Sequence, residues 1–265
     1  MTRLLEGKTA LVFGVANDHS IAWGIARALH QQGAHLAFSY AIEKLERRVR
    51  PLAESLGANF VEPCDVSRDE DIESLYRKAS QSLGKVDILI HAIAFAGREE
   101  LSRPFLETSR AGFLMTMDIS VYSFTALARG AAALMPSGGS MLTLTYDAGQ
   151  KVVPHYNVMG VAKAALESSM RYLASDLGPR GIRVNAISAG PVRTLAAAGV
   201  AGFKKMYGRF AETAPLRRNI TLEDIGNTAA WLASDMASAV TGEVIFVDSG
   251  YNILGVPFTS DDTPS

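Results

Sequence analysis

Short runs of β-forming residues alternate with stretches of helical period along nearly the whole chain, and this alternation restricts the fold more than any other feature. The strand-like runs are Thr9–Phe13, His35–Ser39, Asn59–Pro63, Val86–Ile93, Ser140–Thr145, Arg183–Ser188 and Val244–Val247. Helical patterns fill the intervals at Ile21–Gln32, Ile42–Ser55, Asp69–Leu83, Arg110–Met135, Asn157–Leu177 and Leu222–Ser234. Runs such as Val86-Asp-Ile-Leu-Ile-His-Ala-Ile are almost wholly apolar, as expected of a strand covered on both faces of a parallel sheet. Strand–helix alternation with right-handed crossovers predicts an α/β fold, a single doubly wound parallel sheet of about seven strands with helices on both faces. One domain is expected over residues 1–258, with 259–265 a polar tail. The segment from Thr194 to Arg218 supplies no strand pattern. Beyond the carboxyl end of a strand, such an excursion is placed to cover a ligand or to form an ordinary surface helix pair.

With 265 residues, 48% hydrophobic and 20% charged, the chain can bury one sizeable core. A net charge of -1 gives no support for nucleic-acid binding. Cys64 is the sole cysteine, which excludes an intrachain disulfide and suits a reducing, cytoplasmic setting. No Cys/His cluster has zinc-ligand spacing, so no metal is expected. The apolar run Thr9 to Val15 is short and lacks the pattern of a secretory signal. Phe113 to Met135 carries Asp118 and Arg129, so it reads as a buried helix and not a membrane span.

The first strand ends at Gly14, and a helix opens near Ser20-Ile21. A glycine at such a junction lets the backbone approach a pyrophosphate, whose charge the helix N-terminus attracts, as in Rossmann-like folds. Ser20 can cap the helix or donate to a phosphate oxygen. The full G-x-G-x-x-G pattern is absent, since only Gly14 and Gly24 stand in place. Asp65, after the third strand with Val66 beside it, can accept from an adenine amino group or cap the helix near Arg68. The second strand ends in Ser39-Tyr40-Ala41, with no acid for a ribose hydroxyl and no basic pair for a 2′-phosphate until Arg47 and Arg48. NADH is therefore expected over NADPH.

Tyr156 and Lys163 stand seven residues apart in a helical pattern. A helix advances about 100° per residue, so such positions return to within about 20° of one another. A phenol and an ammonium are thus expected on one helix face, where the cation would lower the phenol pKa and make it a better proton donor. The structural alternative is a buried Tyr with a surface Lys. Tyr40-x-x-x-Lys44 has the spacing of ordinary short-chain dehydrogenases, but it follows the second strand, far from any nicotinamide.

Taken together, Gly14-Val-Ala with Ser20-Ile21-Ala, Leu142-Thr-Leu-Thr-Tyr146, Tyr156-Asn-Val-Met-Gly-Val-Ala-Lys163 and Arg183-Val-Asn-Ala-Ile-Ser-Ala-Gly-Pro191-Val-Arg-Thr194-Leu-Ala196 resemble the type I enoyl-acyl carrier protein reductases of the short-chain dehydrogenase/reductase superfamily. The resemblance implies reduction of the trans-2 double bond of an enoyl thioester on acyl carrier protein, by hydride from NADH, in fatty acid synthesis. It makes Tyr156 and Lys163 the catalytic pair and Tyr146 a second active-site tyrosine. It also puts Gly14, Ser20, Ile21, Ala41, Asp65, Val66, Ile93, Lys163, Val192, Arg193, Thr194, Leu195 and Ala196 at cofactor positions. Ala96, Tyr146 and Tyr156 fall at the acyl site, and 194–218 becomes a substrate lid.

A homotetramer is expected, as is a basic rim of Lys204, Lys205 and Arg209 toward the acidic carrier protein. Ala94 stands where relatives usually have Gly, beside the expected diphenyl-ether inhibitor pocket, where its methyl would narrow the space for a compound such as triclosan. The longer Tyr–Lys interval, about 4.5 Å more along a helix than a four-residue spacing, is expected to carry the phenol outward toward a thioester oxygen. A carbonyl reductase on the same fold and a non-catalytic dinucleotide-sensing protein are the alternatives.

Overall fold

A computed structural model describes residues 3–194 and 203–256. Seven parallel strands form one sheet in the order β3-β2-β1-β4-β5-β6-β7. They are β1 (Thr9–Phe13), β2 (His35–Tyr40), β3 (Phe60–Pro63), β4 (Ile88–His91), β5 (Gly139–Thr145), β6 (Ile182–Ala189) and β7 (Val244–Val247). Every run expected to be a strand is one, with ends displaced by a few residues. The strand order reverses between β1 and β4, which pair in register from Ala10↔Ile88 to Phe13↔His91. A crevice opens at such a reversal because the chain leaves the two strands for opposite faces.

Helices α1 (Ile21–Gln31), α2 (Glu43–Ser55) and α3 (Asp69–Leu83) follow the first three strands. The short α4 (Arg98–Ser102) then precedes α5 (Arg110–Met117) and α6 (Ser123–Ala133). α7 (Val158–Leu177), α8 (Phe203–Thr213) and α9 (Leu222–Ala233) complete the set among the described residues. Side chains alternate across the sheet with the two-residue period of a strand. Ala10, Val12, Ile88 and Ile90 join Ile25, Phe38 and Leu232 in one buried layer. Leu11, Phe13 and Leu89 join Phe60, Leu75, Phe124 and Leu166 in the other. The apolar character of β4 follows from this double coverage.

Two helical expectations are corrected. Arg110–Met135 is not one regular helix: Asp118–Tyr122 forms a π turn between α5 and α6. Its 24-residue span, Arg110–Ala133, has the length and hydropathy of a membrane segment. Phe124, Leu127, Ala128 and Ala131 nevertheless sit fully in the core. α7 begins at Val158, after Asn157 in a left-handed conformation (φ 42°), so Tyr156 precedes the helix instead of riding on it. The excursion contains α8 and, among its described residues, no strand. The tail 259–265 falls outside the described residues.

Candidate active site

Because every strand runs the same way, the residues that follow them collect along one edge of the sheet. Gly14 (after β1), Ala41 (after β2), Asp65 and Val66 (after β3), Ile93 to Ala96 (after β4), Tyr146 (after β5) and Val192 to Thr194 (after β6) all fall there. Leu195 and Ala196 lie outside the described residues.

The β1–α1 turn is built for close approach. Gly14 has φ 99°, and a Cβ there would stand 2.1 Å from the Ala92 carbonyl oxygen, so both conformation and space demand glycine. Gly24 serves packing instead: a Cβ would come within 2.7 Å of Leu222 Cβ on α9. Ser20 occupies the N-cap position of α1, but its side chain makes no cap bond. Its Oγ accepts from the Ala16 amide at 3.0 Å and the Asn17 amide at 3.1 Å, shaping the turn itself. A glycine turn leading through Ser20 to the N-terminus of α1 fits a pyrophosphate, so these residues suit the dinucleotide.

Asp65 does not cap α3, whose N-cap is Arg68; its Oδ1 accepts from Ser67 N at 3.0 Å and Ser67 Oγ at 2.7 Å. Val66 is buried, and Ile21 and Ile93 are half-buried. Ala41 is exposed, as are Lys44, Arg47 and Arg48 around it. Tyr40 closes β2, at the other end of the site from Tyr146.

Tyr146 and Tyr156 meet edge to face, ring centroids 5.1 Å apart. Neither phenol is acidified. Burial raises Tyr146 to about 12, with Asp147, Tyr251 and Asp248 adding to the rise. Burial, then Tyr146, pushes Tyr156 above the ordinary phenol range. This corrects the expectation that Lys163 lowers Tyr156: the cation acts elsewhere, since Lys163 Nζ donates to the Leu144 carbonyl at 2.7 Å. Lys163 is itself buried, with 5% exposure, which removes the alternative of a surface lysine. Burial lowers its ammonium to about 8, and Glu167 one turn along opposes that shift. Glu167 accepts from Thr145 Oγ1 at 2.6 Å.

The turn before α7 carries two left-handed non-glycine residues, His155 (φ 63°) and Asn157 (φ 42°). Such backbone is costly and marks functional turns. Asn157 Nδ2 donates to the carbonyls of Glu100 at 3.2 Å and Arg103 at 2.8 Å. Tyr156 is thereby fixed by its two neighbours and by α4.

A cavity of about 280 Å³ opens beside Tyr146, among Met206, Arg209, Phe210, Asp248 and Tyr251. Tyr156 and Ala96 are not on its wall. The Tyr146 hydroxyl faces Met206 Sδ at 3.9 Å, which brings α8 over the site. Arg193 stacks on Tyr207 of α8, 4.6 Å from the ring centre. Lys204, Lys205 and Arg209 are exposed on that helix.

Sequence reasoning missed a buried polar chain beneath this edge. His91 is fully buried between Thr143 Oγ1 at 2.8 Å and Ser123 Oγ at 2.9 Å. Ser123 gives its single hydrogen to the Ile119 carbonyl at 2.7 Å, so His91 Nε2 is the donor to Ser123 and Nδ1 accepts from Thr143. Burial, helped by the Lys163 charge, lowers His91 to about 3 and keeps it neutral. Serines recurring inside an otherwise apolar helix pattern were the available signal.

Known proteins share this fold and much of this sequence. The family model described as enoyl-(acyl carrier protein) reductase matches residues 14–252. The NADH-dependent enoyl-acyl-carrier-protein reductase of Bacillus cereus is 56% identical over 254 residues, covering 95% of this chain and 99% of that protein. A crystal structure of the Bacillus cereus enzyme with NADP+ and indole naphthyridinone superposes with TM-score 0.94 at 55% identity, covering 96% of this chain and 99% of the other. The Anaplasma phagocytophilum enzyme in complex with NAD gives TM-score 0.94 at 49% identity, covering 98% and 99%. With the family model matching residues 14–252 and the fold and about half the sequence shared along almost its entire length, the chain belongs to the enoyl-(acyl carrier protein) reductase family.

Proposed function

We propose that this protein reduces the trans-2 double bond of enoyl thioesters carried on acyl carrier protein, with NADH as reductant, in the elongation cycle of fatty acid synthesis. The observation that carries this reading is the packed Tyr146–Tyr156 pair, two protonated phenols, with the buried Lys163 ammonium on the carbonyl of Leu144, two residues before Tyr146. Bound NADH would supply a hydride to Cβ of the enoyl group.

The chain's own residues would then deal with the charge that reaches the thioester oxygen. Tyr156 is the donor to that oxygen, and its raised pKa keeps a proton available for the enolate. Tyr146 supports Tyr156 edge-on and shapes the acyl side. Lys163, with its charge near the Leu144 carbonyl, would hold the nicotinamide ribose hydroxyls. Gly14, Ser20 and Ile21 would take the pyrophosphate end, Asp65 and Val66 the adenine, with Ala41, Ile93 and Val192 to Ala196 along the remainder. Ala96 would border the acyl chain, and 194–218 would form the lid.

The partner of the basic α8 face would be the acidic carrier protein. A homotetramer would cover the apolar side chains that α5, the π turn and α7 leave exposed, among them Leu114, Tyr122 and Tyr172. A cytoplasmic setting suits the lone, buried Cys64. Ala94, exposed beside Phe95, would narrow a diphenyl-ether site. The test is NADH and NADPH oxidation with a trans-2-enoyl thioester, wild type beside Tyr156→Phe. Enoyl-dependent oxidation of NADH that falls sharply in the variant supports the reading, and no enoyl-dependent oxidation overturns it.

A further inference from the structure

The loop after β4 is secured at two points of different character. At its start, the Ala92 amide donates to the Phe13 carbonyl at 3.2 Å, continuing the β1–β4 pairing. His91, one residue earlier, is locked by Thr143 and Ser123. Three residues further on, the backbone has left the sheet and carries no strand or helix bond until α4. There a single side chain takes over. Ser120 Oγ accepts from the Phe95 amide at 2.9 Å and donates to the Phe95 carbonyl at 3.0 Å. Both bonds close on one residue, a clip that satisfies donor and acceptor together.

Ser120 is fully buried and lies inside the π turn Asp118–Tyr122. A π turn widens one helical turn and changes the direction in which later side chains project; such turns are frequent at functional sites. Here Ser120 reaches the loop while Ser123 reaches His91. Ser120 Oγ also stands 3.9 Å from Met159 Sδ on the first turn of α7, so the clip adjoins the element that follows Tyr156.

We propose that Ser120 is a positioning residue for substrate: from the π turn it clips the Phe95 backbone and so sets the Ala94–Gly97 wall against which the enoyl thioester rests. This rests on the proposed enoyl reductase reading. The cofactor side of the loop is held by the sheet and by His91, so loss of the clip frees only the acyl side. Loss of a donor and an acceptor contact at once should loosen that wall and weaken substrate binding about tenfold.

The experiment compares wild type with Ser120→Ala and Ser120→Cys, using crotonyl thioester and NADH. Ser120→Cys keeps the shape, weakens both bonds and covers the case in which the alanine variant fails to fold. The expected result is a thioester KM raised about tenfold in Ser120→Ala and less in Ser120→Cys. The NADH KM stays within about twofold and kcat within about threefold. A fall in melting temperature with an unmoved thioester KM overturns the proposal, as does a parallel rise of both KM values. A wild type that oxidises no NADH with crotonyl thioester defeats the enoyl reading itself, a separate outcome.

Discussion

Tyr156 does not touch Lys163 through its hydroxyl; its ring instead packs edge to face on Tyr146, centroids 5.1 Å apart, while the lysine ammonium donates to the Leu144 carbonyl. The phenol and the cation therefore work on separate partners. Burial holds the phenol protonated and makes the lysine the group that titrates near the working range.

The pH profile follows from that division. Lys163 loses its charge at about 8, so kcat/KM for NADH should fall as pH rises through that value. The same inflection should persist in the residual activity of Tyr156→Phe, whose kcat should drop about a hundredfold or more. An inflection that disappears with the phenol would assign it to Tyr156 and contradict this account.

Stability carries the same signature with a definite sign. The Lys163 pKa falls from 10.5 to about 8 on folding, so between those values the unfolded chain binds more protons. Its destabilising contribution is fully present below about 8 and is relieved as pH rises toward 10.5. Relative to Lys163→Met, the ligand-free wild type should therefore gain in melting temperature from pH 8 to pH 10. A constant difference between the two proteins across that range counts against a buried, charged lysine.

Gly14→Ala should be severe. Its Cβ would meet the Ala92 carbonyl at 2.1 Å at φ 99°, and a displacement of β4 against β1 costs about 3 kcal/mol. Thermal unfolding and NADH titration check this. A variant with native melting temperature and NADH affinity would show that the turn yields easily.

Charge on α8 should matter only for a large, acidic substrate carrier. Lys205→Glu is expected to raise the KM for the carrier-bound substrate several-fold, more at low salt, and to leave the KM for a small thioester unchanged. An unchanged KM for the carrier-bound substrate removes the basic rim from the account.

Much of this was legible because burial on both faces writes itself directly into a strand. Val86–Ile93 announced a central strand, and Gly14 the sharp exit from β1. The Tyr156–Lys163 interval was read from a helix that does not reach Tyr156. A periodic pattern continues through Tyr156, but left-handed His155 and Asn157 end the helix before it. Those conformations depend on α4, whose carbonyls hold Asn157, and short α4 carries no periodicity to detect. Because α7 begins at Val158, extra rise along a helix does not account for the longer interval. What separates phenol from ammonium is a strained turn joined to the first turns of α7. The π turn was equally hidden, since its residues read as uninterrupted helix and its meaning comes from what Ser120 and Ser123 touch across the fold.

The central claim is that this pair of phenols, with the buried Lys163 cation, serves a carbon–carbon double bond. It is tested most directly by NADH oxidation with crotonyl thioester beside acetoacetyl thioester at equal concentration. The account predicts turnover of the crotonyl substrate, abolished or nearly so in Tyr156→Phe, and little or none of the ketone. Turnover of the ketone alone would contradict it.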